Sequence, residues 1–224
     1  MATPPRKSPI ADSHAALNRW ASSPEAHDVI RTTPIERPFY QRSALDVAID
    51  LLGKVLVTGA GKEIAAGLIV EVEAYLGAED PASHAYRGKT ARNSSMFSLG
   101  GIAYVYLSYG IHRCVNIVTG QEDQGEAVLL RAIWPIMSQK LMAKRRGLDD
   151  ALTSGVIKNL ASGPGKLTQA MAISLRDNGR PWDQPDFKII DLGYRPKKGE
   201  LLSTPRIGIT KGVELPWRFL WTPS

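Results

Sequence analysis

The sequence predicts an α+β fold, a single domain in which a curved, mostly antiparallel β-sheet is flanked by α-helices. Three observations lead there. Runs of alternating apolar residues at 54–58, 67–75, 102–110 and 113–119 read as strands, because successive side chains in a strand point to opposite faces. Tight turns are available at Gly59-Ala60-Gly61-Lys62 and at Gly110, as antiparallel neighbours require. Helical signals fall outside this block of strands, at 43–52, 136–146 and 162–173. With 224 residues, 43% of them hydrophobic, the chain is long enough for one well-formed core.

In chain order, residues 1–37 are rich in Pro, Ser, Ala and charge, and read as a loosely ordered tail with a short helix near 14–21. The remaining 38–224 form the domain. Ser43-Ala44-Leu45-Asp46 has the cap-and-acid pattern of a helix start, Gly53 stops that helix, and Leu45, Ile49 and Leu52 share its expected inward face. A strand at 54–58 turns through Gly59-Ala60-Gly61-Lys62 into the strand 67–75. There Leu68, Val70, Val72 and Ala74 fall on one face and Ile69, Glu71, Glu73 and Tyr75 on the other. In 102–110, Tyr104, Tyr106 and Ser108 oppose Val105, Leu107 and Tyr109; in 113–119, Cys114, Asn116 and Val118 lie together. A further, mostly buried strand covers 125–132. Pro135 opens a helix over 136–146 with Lys140, Lys144, Arg145 and Arg146 on its polar side. Ser162-Gly163-Pro164-Gly165-Lys166-Leu167 starts another helix that ends near Ile173. Short strands are expected at 187–192 and 206–210, and 216–221 closes the chain against a sheet edge.

Composition narrows the function classes. A net charge of +6 and a pI near 9.5 favour an acidic partner such as nucleic acid. No apolar run is long enough to span a bilayer and the N-terminus lacks an apolar signal core, so a soluble cytoplasmic protein without membrane association is expected. Cys114 is the only cysteine, which rules out an internal disulfide, and with His112 it offers at most two metal ligands; no metal is expected. The Gly-Pro-Gly-Lys run lacks the spacing of a nucleotide-binding loop.

The chemistry-bearing residues cluster between 68 and 116. Glu is depleted in strands, so Glu71 and Glu73 at i, i+2 mark either a solvated sheet face or a polar cleft, with Tyr75 beside them. After the Asp80-Pro81 turn comes His84. A Gly-, Ser- and Thr-bearing loop then carries Arg87, Lys89 and Arg92, a composition that suits either phosphate contact or plain solvation. Tyr109, next to Gly110, stands at a turn and not in the core.

Val70-Glu71-Val72-Glu73-Ala74-Tyr75-Leu76-Gly77, His84, Arg92-Asn93, Met96-Phe97, Tyr104-Val105-Tyr106, Tyr109-Gly110, Asn116-Ile117, Val128-Leu129-Leu130-Arg131-Ala132 and Ser162–Leu167 occur in the order seen in one family. From about Pro38 onward the chain resembles the alkyladenine (3-methyladenine) DNA glycosylases, the methylpurine-DNA glycosylase type. The resemblance implies a monofunctional enzyme that flips alkylated or deaminated purines out of double-stranded DNA and hydrolyses the N-glycosidic bond, acting as a monomer without cofactor. It implies that Glu73 is the general base and that Arg131 stands beside the catalytic water. Tyr75, His84 and Tyr106 would line the base pocket, Asn116 would exclude guanine, and Tyr109 would wedge into the duplex. Glu71, on the same strand face, competes with Glu73 for the role of base. Arg87, Lys89, Arg92 and Lys166 are candidates for DNA backbone contact. Two stretches depart from the family pattern: Lys211-Gly212-Val213-Glu214 replaces an aromatic-rich loop, and His112-Arg113 replaces a usually aromatic pair. A catalytically idle binder of damaged DNA would tolerate loss of Glu73, and an RNA-directed transferase would need a donor cofactor for which no binding motif is present.

Overall fold

A computed structural model describes residues 33–148, 152–197 and 199–222; the expected tail up to residue 32, with its helix near 14–21, lies outside them. Helix α1, Ala44–Leu51, is followed by strands β1, Val55–Thr58, β2, Ala65–Leu76, β3, Ala103–Ser108, β4, His112–Thr119, and β5, Glu126–Met137. Three helices come next: α2, Gln139–Arg145, α3, Ser154–Asn159, and α4, Pro164–Ala170. The chain returns to the sheet with β6, Asp183–Gln184, β7, Phe187–Ile190, β8, Leu201–Thr204, and β9, Arg218–Trp221. The strands run in the order β3-β4-β5-β2-β1-β7-β6, every pairing antiparallel, with β9 also joined to β2 and β8 to β9. This is the α+β arrangement of an antiparallel sheet with helices that the sequence predicts.

The helices cover one face. α1 packs on β2 and β5, and α4 on β4 and β5. The main core lies between them, with Val47, Leu51, Ile69, Val72, Ile117, Leu130, Leu167 and Met171 all buried. Ser43 caps α1 as expected, accepting the Asp46 amide at 3.3 Å. Of the expected inward residues, Leu52 is buried in the core and Leu45 packs partly against it, but Ile49 is 39% exposed, and the inward stripe of the helix itself is Ala44, Val47, Ala48 and Leu51. Two alanines at the i, i+4 spacing let the helix axis approach the sheet closely, which outweighs the pull of one larger side chain.

Three further expectations need correction. The alternation of β2 changes phase. Leu68 and Val70 join one cluster while Ile69, Val72 and Ala74 join the main core. The β2–β5 register explains this: Ile69 pairs with Ile133, Glu71 with Ala132 and Val72 with Leu130, leaving Val70 and Arg131 each as an extra residue. The strand β5 also runs past Pro135 to Met137, where a helix start was expected. Pro135 sits opposite Gly67 beside another register slip, a position where a missing amide is tolerated. Residues 206–210 form a loop rather than a strand, and the strand in that region is β8 at Leu201–Thr204. Helix α3, capped by Thr153, was not anticipated.

Gly77 ends β2 at φ +57°, where a Cβ would lie 2.2 Å from the Gln124 carbonyl oxygen. That backbone releases the chain from the sheet into the loop that carries His84. Gly77→Ala should lower unfolding free energy by about 2 kcal/mol or more in urea titrations, through positive-φ strain plus displacement of the Gln124 peptide.

Candidate active site

The paired slips at Val70 and Arg131 re-aim the side chains that follow. Glu71, Glu73 and Arg131 meet at one point between β2 and β5. Arg131 Nε donates to Glu71 Oε1 at 2.9 Å, and its Nη1 lies 3.3 Å from Glu73 Oε1. Arg218 on β9, opposite Glu73 in register, donates from Nε to the same Glu71 oxygen at 2.8 Å. Burial works against the Arg131 charge, yet Glu73 and Glu71 outweigh it and hold the guanidinium more firmly protonated than usual. Glu73 itself has no exposed surface. Its Oε1 accepts the Ile207 amide at 2.7 Å and its Oε2 accepts the Tyr75 hydroxyl at 2.9 Å. Burial and then the neighbouring carboxylate push the Tyr75 phenol well above its ordinary value, so it acts as a neutral donor.

In front of this carboxylate lies a groove of about 1260 Å³, with Tyr75, His84, Tyr104, Tyr106, Cys114, Asn116 and Arg131 among its walls. The Tyr104 and Tyr106 rings stack at 5.3 Å and 27°. His84 stands edge-on to Tyr106 at 4.5 Å, and its Nδ1 is 2.9 Å from the Tyr104 hydroxyl. Burial pushes that hydroxyl up to about 12, against the pull of Arg92. His84 is shifted the other way, below its ordinary value, because burial and the Arg92 guanidinium both oppose its charge. The ring is therefore a neutral, flat wall. Asn116 is anchored through its Nδ2, which donates to the Tyr104 carbonyl at 3.0 Å. Burial raises the Cys114 thiol above its ordinary value, against the pull of neighbouring Tyr106.

At the β3–β4 tip, Tyr109 adopts φ +49° and is 84% exposed. A bulky side chain in the left-handed region beside Gly110 projects outward along the groove, with Ile111 also exposed. Arg87, Arg92 and Lys166 line the groove as well, joined by Arg146, Lys211 and His112; no Asp or Glu is among its described lining residues. Lys89 does not belong to this set. Its ammonium lies 3.1 Å from Asp123, away from the groove. Lys166 Nζ is bonded to Asn159 Oδ1 at 2.6 Å, and Arg146 reaches the carbonyls of Asn159 and Leu160. Arg145 is bound to Glu63 and the Ala170 carbonyl.

Sequence reasoning missed four parts of this site: the Ile207 amide, Arg218, and the buried pair of Asp80 with Arg206. Arg206 and Arg218 follow a long stretch without motif, and a backbone amide has no residue signature. Asp80 alone gave a hint, since an Asp before Pro at a turn favours bonds to nearby amides; its carboxylate accepts from Leu76 and Ala82. Among the described residues no group of three or more His, Cys, Asp or Glu could hold a metal ion, and no helix is long and apolar enough to cross a membrane.

Comparison with known proteins adds one consistent finding. The family model for methylpurine-DNA glycosylase (MPG) matches residues 38–224. A protein of Rhodopseudomonas palustris (strain HaA2) is 49% identical over 187 residues, 83% of this chain and 86% of the relative. One from Methanoculleus marisnigri is 49% identical over 183 residues, 81% of this chain and 91% of the relative. Both carry the name "Putative 3-methyladenine DNA glycosylase".

The His84 environment makes a pH prediction. Its folded value lies below the ordinary value of 6.5, so across that interval the unfolded chain holds the proton and the folded chain does not. Its contribution to stability is then complete above 6.5 and drains away as pH falls through the folded value. NMR titration of the imidazole should give a midpoint below 6.5, and Arg92→Gln should move it upward by removing one of the two causes.

Proposed function

The chain belongs to the methylpurine-DNA glycosylase family, and from that premise we propose that it is a 3-methyladenine DNA glycosylase of base excision repair, a hydrolase of N-glycosyl bonds. Its substrate class is alkylated and deaminated purines in double-stranded DNA: 3-methyladenine, 7-methylguanine, hypoxanthine and etheno-adenine. The observation that most supports this reading is a buried carboxylate, Glu73, set directly behind an aromatic-walled groove whose described lining has cationic side chains and no acidic ones.

The reaction needs the target nucleotide outside the helix, because the glycosidic bond of a stacked purine is out of reach. Extrusion costs about a few kcal/mol. The groove supports two offsetting contributions. Arg87, Arg92, Arg146, Lys166 and Lys211 present positive charge to the phosphates, an attraction that weakens as salt rises. Tyr109 at its exposed tip fills the place the base vacates. The extruded base then stacks among Tyr75, His84 and Tyr106, each such contact being worth about 1–3 kcal/mol. Neutral His84 leaves the pocket without a charge that would repel a cationic alkylpurine.

Glu73 then removes a proton from the water that attacks the sugar carbon, and Arg131 steadies that water and the carboxylate. The water approaches on the side of Oε2, where the Tyr75 hydroxyl now bonds. Glu71 suits the role less well, because its Oε1 is shared between two guanidinium groups. Asn116, tethered through Nδ2 alone in the described contacts, offers its bulk against the exocyclic amine of guanine. The rings around the base supply no amine for a lyase step, and the groove lysines, Lys166 and Lys211, come from the start of α4 and the loop after β8. The reaction in this reading is monofunctional hydrolysis that leaves an abasic site.

Duplex DNA bearing a single hypoxanthine tests the reading through free base and abasic sites. Wild type should release base and Glu73→Gln should lose at least about 100-fold in rate, the lower range for a general base; equal release by both would discard Glu73 as the base. Tyr109→Ser should weaken the flipping equilibrium of an etheno-adenine duplex followed by fluorescence. Asn116→Ala should raise excision of unmodified guanine, and unchanged discrimination would count against its gatekeeping.

A further inference from the structure

The ion pair of Arg206 and Asp80 is unused by the chemistry just described, although neither side chain has any exposed surface. Arg206 presents a fork to both Asp80 oxygens, with Nη2 2.8 Å from Oδ1 and Nη1 bonded to Oδ2. The same Nη1 donates to the Ala74 carbonyl at 3.0 Å. Its guanidinium lies 4.6 Å from the Tyr75 ring centroid and 5.1 Å from that of Trp217. Asp80 is fixed in turn by the amides of Ala82 and Leu76. Arg206 is thus held by both carboxylate oxygens, a carbonyl and two rings. The next residue is Ile207, whose amide donates to Glu73 Oε1.

We propose that Arg206, anchored by Asp80, is a positioning residue that sets the Ile207 amide against Glu73 and thereby fixes the direction in which the carboxylate faces the groove. This rests on the glycosylase reading above. The argument is geometric. Residues 205–217 are a loop between β8 and β9 with only a few bonds to the sheet, and Ile207 is half exposed. Nothing in its own side chain holds its amide in place. The adjacent Arg206 is the only residue of 205–210 that is buried, so the loop is pinned at that point. Without the pin Glu73 keeps Tyr75 and Arg131 as partners but loses the shorter of the two contacts at Oε1.

A lysine at 206 would keep the charge and lose the fork, because a point charge cannot meet two oxygens, a carbonyl and two rings with one geometry. The test uses the full chain and etheno-adenine duplex, with thermal midpoint, duplex Kd and single-turnover base release measured for wild type, Arg206→Lys, Asp80→Asn, Ile207→Pro and the double variant Arg206→Lys/Ile207→Pro. Ile207→Pro removes the amide without emptying a buried site, so it remains informative if an ion-pair variant fails to fold. The expected result is Kd within about twofold of wild type and release slowed by about 10- to 100-fold in each folded variant, as for a misplaced catalytic group. The double variant should be no slower than the slower single, since both act through one hydrogen bond. Unchanged release, a rate loss that follows loss of binding or of folded protein, or losses that multiply in the double variant would overturn the proposal. Absence of base release by wild type would show the glycosylase reading itself to be wrong, before any variant is compared.

Discussion

Two carboxylates taken out of water on one strand face must be matched by charge or hydrogen bonds, and the rest of this structure is arranged around that requirement. Glu71 and Glu73 are satisfied by Arg131, Arg218, the Tyr75 hydroxyl and the Ile207 amide. An unpaired buried charge would cost several kcal/mol, so the set of donors serves the fold as well as the chemistry. The register slips at Val70 and Arg131 follow from the same demand. In a regular ladder the extra residue on each strand would have no place, and here the slips turn Arg131 toward the acids while the apolar residues around it stay in the core.

The rings obey a complementary logic. Tyr75, Tyr104, Tyr106 and His84 all sit where burial disfavours charge, so three phenols stay protonated and the imidazole stays neutral. The site thus separates its functions in depth. Charge that is internally balanced lies behind, neutral flat surfaces lie in front, and uncompensated positive charge lies along the outer groove. A substrate with an anionic backbone and a planar base meets these layers in the order in which it must be handled.

Much of this was legible in the sequence, for physical reasons that differ by residue. Period-two patterning located β2, β3 and β4, and because the β3–β4 ladder is regular it also put Tyr104 with Tyr106 and Cys114 with Asn116. The same rule misassigned Val72 and Ala74 with Leu68, since it presumes a constant phase and a bulge leaves no composition mark. Pro135 reads as a helix start because proline ends ladders in general; its tolerance here depends on a slip in the pairing with β2 that sequence cannot show. Arg206, Ile207 and Arg218 could not be linked to Glu71 and Glu73, from which they are separated by more than a hundred positions with no shared pattern. Proximity in sequence puts Lys89 with Arg87 and Arg92, whereas the loop turns it to Asp123.

Those long separations carry a consequence for how the protein comes to life on the ribosome. Ile207 is 134 positions from Glu73, and Arg218 is 147 from Glu71. At about 5–20 residues per second, the rings and the acidic strand emerge many seconds before the donors that complete them. Until the last strand is made, Glu71 lacks Arg218 and Glu73 lacks the Ile207 amide, so the charge balance behind the groove is a property of the whole chain and not of the segment that carries the acids.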